Sequence, residues 1–350
     1  MLRFTLPLCC LLPLAAGQES PDETIPFLGT PPIEISVDPA TELWFEVRSR
    51  AASDETVGED DPLAEAIAGA RALGALFAEP RAWLLVDAYI LSAQLPDGYG
   101  SALVETLRVP PKFRLPDVGP ARVPRGILTL VQALDAAAPT WLEEVWPERR
   151  AQLEARRSAV HEILPPETQM TIFAELEGVH RLPFPKPSFP LRLTSRMPEV
   201  DEVALWIGGA PTQTALVAVS GREPLELADV VLHEILHVSD TRAFFPPSVF
   251  KALDTKLTRK GVRGLNAGSA RHYLFYLLAG ELIRRHADPA HIDQGRTSGQ
   301  YERAPGLVDQ LEPLVRRFAS GEIGSAEFTD SYASIVAAWL AQGGEFLEEG

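Results

Sequence analysis

Two imidazoles and a carboxylate fall within one short stretch, Ala228-Asp229-Val230-Val231-Leu232-His233-Glu234-Ile235-Leu236-His237-Val238-Ser239-Asp240. On an α-helix, residues four apart lie one turn above each other on the same face, so the rings of His233 and His237 can converge on a single tetrahedral cation. Glu234 stands about 100° round the helix from His233, near such a cation without having to bind it. There its carboxylate is placed to take a proton from metal-bound water. The flanking Val230, Val231, Leu232, Ile235, Leu236 and Val238 are all apolar, which predicts a buried helix whose polar groups are costly unless paired or metal-bound. Two inert histidines at this spacing by accident are the competing explanation, and a run of six large aliphatics argues against it.

In His233, Glu234 and His237 the stretch resembles, residue by residue, the active helix of the zincin metallopeptidases. The resemblance implies a zinc ion, hydrolysis of peptide bonds with Glu234 as general base, and an edge strand that pairs with an extended substrate. Residues Ala215 to Ser220 lie upstream where that strand is expected. Ser239 occupies a position where the extended zincin pattern has a hydrophobic residue, a departure that leaves the ligands untouched. The metzincin continuation would require Gly at 240 and His at 243, whereas the chain has Asp240 and Ala243, so that subclass is excluded. Asp240 lies two turns from His233, about 10 Å along the axis, too far to share its ion. It is expected to support or cap the helix end.

A catalytic zinc site takes three protein ligands and keeps one position open for water. Glu281 is the preferred third donor: it is an acid in the apolar run Leu274 to Leu282, 44 residues beyond His237. This resembles the gluzincin branch, where a downstream helix supplies a Glu, although the usual Asn-Glu-x-x-x-Asp form is absent. His272 competes for the same role. The two are nine residues apart, or about 180° on a regular helix, so only one of them can face the ion. A plain ion pair between Glu281 and Arg285 is the structural alternative. Tyr273, Tyr276 and His272 are candidates to stabilise an oxyanion, and His286 and His291 fit a helix C-terminus. His161 and His180 have no partners in sequence and read as surface or capping residues.

The elements that must position these groups follow from periodicity and turn signals. Residues 33 to 37 alternate as a strand, and Asp60-Asp61-Pro62 starts a helix through Leu63, Ile67, Ala70, Leu73 and Phe77. Helices are expected at 81–95, 124–137 and 140–163, the last broken at Pro147. Five prolines between 181 and 198 mark extended chain, and 202–207 and 215–220 read as two strands of a small meander. Helices follow at 226–239, 248–258, 269–286, 305–319 and 325–341. The expected class is α+β and zincin-like, mainly helical, with a small mixed or antiparallel sheet in the middle of the chain.

The 350 residues carry 48 acidic and 32 basic side chains, a net charge of -16 that argues against nucleic-acid and anionic-membrane partners. Residues 1–17 combine Arg3, an apolar stretch and small residues at Ala15-Ala16-Gly17, the pattern of a cleaved secretory signal. Residues 18–60 are expected as a linker with an N-terminal strand, and 61–350 as the catalytic domain. Both cysteines, Cys9 and Cys10, lie in the leader, so a secreted mature chain would lack disulfides and thiolate ligands. A lipid-modified cysteine is disfavoured by Leu8. The expected partner is a peptide or protein substrate, with no membrane span. A non-catalytic scaffold and a metal-dependent amidohydrolase acting on a non-peptide substrate are the alternatives, and Glu234 argues against the first.

Overall fold

Strand β4 (Thr214–Ala218) is buried along its whole length, the signature of a strand covered on both faces. Leu216 and Ala218 enter one apolar cluster, and Ala215 and Val217 enter another. The alternation places a helical layer on each side of the sheet. β1 (Ile33–Val37) pairs in parallel with β2 (Phe189–Thr194), which pairs in parallel with β4, and β3 (Glu202–Leu205) closes the order β1-β2-β4-β3 as an antiparallel edge. The computed structural model describes residues 33–53, 55–58, 60–76, 83, 86–87, 90–91, 122–178, 189–198, 202–205, 214–240 and 248–347. The leader, His180, Phe77 and most of the helix expected at 81–95 lie outside the described residues, and the Asp240 side chain lies outside them too.

The first layer is built by α1 (Pro39–Ala52), α2 (Ala64–Gly74) and α3 (Arg122–Glu144). Helix α1 falls where a linker and strand were expected. Its start carries the same Asp-Pro signal as α2: Asp38 caps it by accepting from the Thr41 amide at 2.8 Å, with Pro39 in the first turn. Leu43, Trp44, Phe45 and Val47 are then buried. Glu42, fully buried on this helix, accepts from the Thr194 hydroxyl at 2.7 Å and the Ser195 amide at 2.8 Å, fastening the layer to the end of β2.

The opposite layer contains α4 (Trp146–Ile163), α5 (Pro166–Gly178), α6 (Pro224–Asp240) and α8 (Leu265–His286). Between the last two runs α7 (Val249–Arg259), and α10 (Leu307–Ala319) and α11 (Ser325–Ala341) pack outside them, following the four-residue helix α9 (Gln294–Thr297). Helix α5 was not anticipated; Pro165-Pro166 reads as a break, yet Pro166 sits in a first turn, where its missing N–H costs nothing. The expected break at Pro147 comes two residues earlier, at Val145 between α3 and α4, with Pro147 itself in the first turn of α4. The chain is mostly helical with a small mixed sheet. Two of its three strand pairings are parallel, so the expected simple meander holds only for β3 and β4.

Candidate metal centre

Helix α6 packs against β3, β4, α4 and α8, and its apolar positions are nearly all buried. It opens at Pro224, with the Leu227 amide donating to the Glu223 carbonyl at 2.9 Å, just after a turn at Gly221 whose φ of 73° suits glycine. Burial on several sides fixes the helix rotation, which leaves His233 and His237 facing α8, with Glu234 beside His233.

There the Nε2 atoms of His233 and His237 lie 3.0 Å apart, and the His233 Nε2 lies 3.1 Å from that of His272 on α8. All three histidines can offer one ligand atom to a common point, the offered atoms lying within 4.8 Å of one another. Ligands about 2.05 Å from a tetrahedral ion stand about 3.3 Å from each other, so the observed separations match a three-histidine cage. Both short contacts share the His233 Nε2, which in a neutral ring is either one donor or one acceptor, so the two cannot both be satisfied as ordinary donor–acceptor pairs. A cation at the centre satisfies all three lone pairs at once.

Aromatic rings hold the cage in place. Tyr276, one turn after His272, lies 4.2 Å from the His233 ring and 4.8 Å from the His272 ring between centroids. Phe275 meets His237 edge-on at 4.5 Å and rests in turn on Phe250 at 4.8 Å. Burial first, and then the positive charge that His237, His272 and Arg222 would present, holds the His233 imidazole well below its ordinary range. Burial, followed by His272 and Arg271, does the same for His237. Both rings are therefore neutral, the form that binds metal.

This neutrality makes the metal-free protein acid-sensitive. The folded pKa of each ring lies below the unfolded value of 6.5, so the unfolded chain binds the extra protons, and the contribution of each ring to stability, whole above 6.5, is lost as pH falls. Glu234 acts in the opposite sense, because its folded pKa is raised. The contribution of one histidine is isolated by difference: the metal-free His237→Gln variant should lose less stability than the wild type between pH 7.5 and 5.5. Urea unfolding at the two pH values checks this, and an equal loss in both proteins would refute it.

Glu234 is 2% exposed, and its Oε1 stands 4.0 Å from the His233 Nε2 while Oε2 has no partner. Burial, reinforced by the Glu202 carboxylate and only partly offset by Arg222, pushes its carboxyl well above the ordinary range. A buried acid beside three histidines, with one oxygen unengaged, is suited to accepting and returning a proton.

The preferred third donor is placed elsewhere. Glu281 accepts from Arg284 at 3.0 Å and faces Arg316 at 3.7 Å, while Arg285, the partner weighed for it, reaches the Glu175 carboxylate. The counter-charges of Glu281 are Arg284, one turn along the same helix, and Arg316 from α10, some thirty-five positions away. The half-turn between Glu281 and His272 did hold, and His272 is on the side that faces α6. Tyr273 is committed to the Gln300 carbonyl at 2.8 Å, which removes it from the candidates for an oxyanion donor. His286 lies 2.8 Å from Glu175, and His161 is half-buried near the end of α4. His291 was undervalued: it is buried against Asp229 on the metal-site helix. Strand β4, read as the substrate-pairing edge, is interior, flanked by β2 and β3; among the described residues β3 is the antiparallel edge next to α6. No described helix is long and apolar enough to cross a membrane. No family, curated protein or solved structure matches this chain.

Proposed function

We propose that the chain is a zinc-dependent hydrolase that cleaves peptide bonds outside the cytoplasm. The observation that carries this reading is the convergence of His233, His237 and His272 at 3.0 and 3.1 Å, with the buried Glu234 carboxyl unengaged beside them. Zinc held by the neutral imidazoles of His233, His237 and His272 would supply Lewis acidity, acidifying water and polarising a substrate carbonyl. The borderline-soft imidazole set favours zinc over the hard cations calcium and magnesium.

Glu234 takes the proton from the attacking water and passes it to the leaving amine. Its raised pKa makes it a stronger base, which suits the first transfer, and its enclosed position keeps the proton available for the second. Tyr276 and Phe275 restrain the three imidazoles, so little ordering remains to be done when substrate arrives. The antiparallel edge β3 lies beside α6 and offers main-chain groups for pairing with an extended peptide, a mode of binding with little demand on side chains. The leader expected at residues 1–17 supports an extracytoplasmic site of action.

Purified protein should digest casein, lose that activity on treatment with 1,10-phenanthroline and regain it when Zn2+ is restored. Fragments that form at the same rate in the chelator would refute the assignment.

A further inference from the structure

Behind the metal centre lies a buried polar group that the proposed reaction does not use. Asp229, one turn before His233 on α6, is fully buried. Its Oδ2 accepts from the His291 Nε2 at 2.9 Å and from the Gln294 backbone amide at 2.7 Å, while Oδ1 is buried with no partner. The His233 Nδ1 is likewise buried with no partner. A neutral histidine that ligates through Nε2 carries its proton on Nδ1, so this is a buried donor, and Asp229, four residues earlier on the same helix face, carries a buried acceptor without a partner. Each, left without a partner away from water, is an uncompensated desolvated polar group.

The carboxylate is held by a segment built to hold it. Asp293 caps α9 by accepting from the Arg296 amide and faces Arg284 of α8 at 3.4 Å. The segment can lie this close only because residue 280 is glycine: a Cβ there would stand 2.3 Å from the Asp293 Cβ. Docking against α8 brings His291 and the Gln294 amide to Asp229 together, so the carboxylate is gripped from a second element and cannot swing away.

We infer that Asp229 is a positioning residue of the metal centre, taking the His233 Nδ1 proton's hydrogen bond through one buried water and so fixing the orientation of that ring. The water accepts from Nδ1–H and donates to Oδ1, which satisfies both groups and makes His233 a better electron donor to the ion. The inference rests on the zinc reading above and extends it to residues that do not touch the ion.

Zn2+ affinity, measured by competition with a chromophoric chelator, should fall about 10–100-fold in Asp229→Asn, with near-UV circular dichroism of the metal-free protein reporting whether the fold is retained. Asparagine keeps the shape but replaces a charged acceptor. Unchanged affinity in the folded variant would overturn the inference while leaving the zinc site standing; wild-type protein that binds no Zn2+ would overturn both. If Asp229→Asn does not fold, His291→Phe carries the test, since it removes one anchor of the Asp229 carboxyl and leaves the residue itself in place. It should weaken Zn2+ binding by about tenfold, and wild-type affinity in this variant would overturn the inference.

Discussion

Glu234→Gln should reduce peptide hydrolysis by about 10²–10⁴-fold, the usual contribution of a general base, while Zn2+ stays bound. Glutamine preserves the volume of a side chain that is 2% exposed and cannot take a proton. It also removes a carboxyl that burial holds well above its ordinary range, so the variant should be no less stable than the wild type near neutral pH. The sign follows from linkage: a carboxyl with a raised folded pKa disfavours folding as pH rises above its unfolded value, and the amide has no such cost. Initial rates on a peptide substrate, metal content and urea midpoints measured on the same preparations separate the outcomes. Retained hydrolysis would remove Glu234 from the proton-transfer role; loss of Zn2+ together with activity would make it a ligand.

A second large effect distinguishes the two residues that compete for the third coordination position. His272→Ala should weaken Zn2+ binding by roughly 10³-fold or more, because a three-ligand cage becomes a two-ligand one. Glu281→Ala should leave Zn2+ binding intact and cost stability instead. Glu281 is 6% exposed and pairs with Arg284; without it, Arg284 keeps the Asp293 carboxylate and the His291 carbonyl, each at 3.4 Å. Breaking a buried pair from one side costs about 3–5 kcal/mol, and the remaining contact to Asp293 should hold the loss to the lower end. Chelator competition and urea unfolding on both variants check the pair of expectations. Zinc lost in Glu281→Ala with the fold intact would reverse the assignment.

These two residues also show where sequence reasoning reaches its limit. Nine positions on a helix give a half-turn, and the structure respects it: His272 faces α6 and Glu281 faces Arg284 and Arg316. Which side faces the metal helix depends on how α8 packs against α6 and α10, and no local pattern encodes that. The inference from an isolated carboxylate in an apolar run failed because Arg284, one turn further along the same helix, pairs with it at 3.0 Å, and Arg316 of α10, distant in sequence, adds a second counter-charge at 3.7 Å. The same holds for His291, whose partner Asp229 is 62 residues away. Helix α1 is a different case, since Asp38-Pro39 is the same signal that marks the next helix, and it was legible.

What the sequence determined by itself is the local geometry of the helix that carries His233, Glu234 and His237. The i, i+4 spacing stacks two imidazoles, and the adjacent acid follows from the 3.6-residue turn. The apolar flanks bury the helix, and alternation marks the strands of the small sheet. Tertiary structure alone decided the third histidine, the interior place of β4, the edge position of β3 and the grip of the 291–294 segment on Asp229. The division has one physical cause: helix and strand periodicities are set by backbone geometry within a few residues, whereas coordination and charge pairing depend on distances between elements, which only the packing of the whole chain sets.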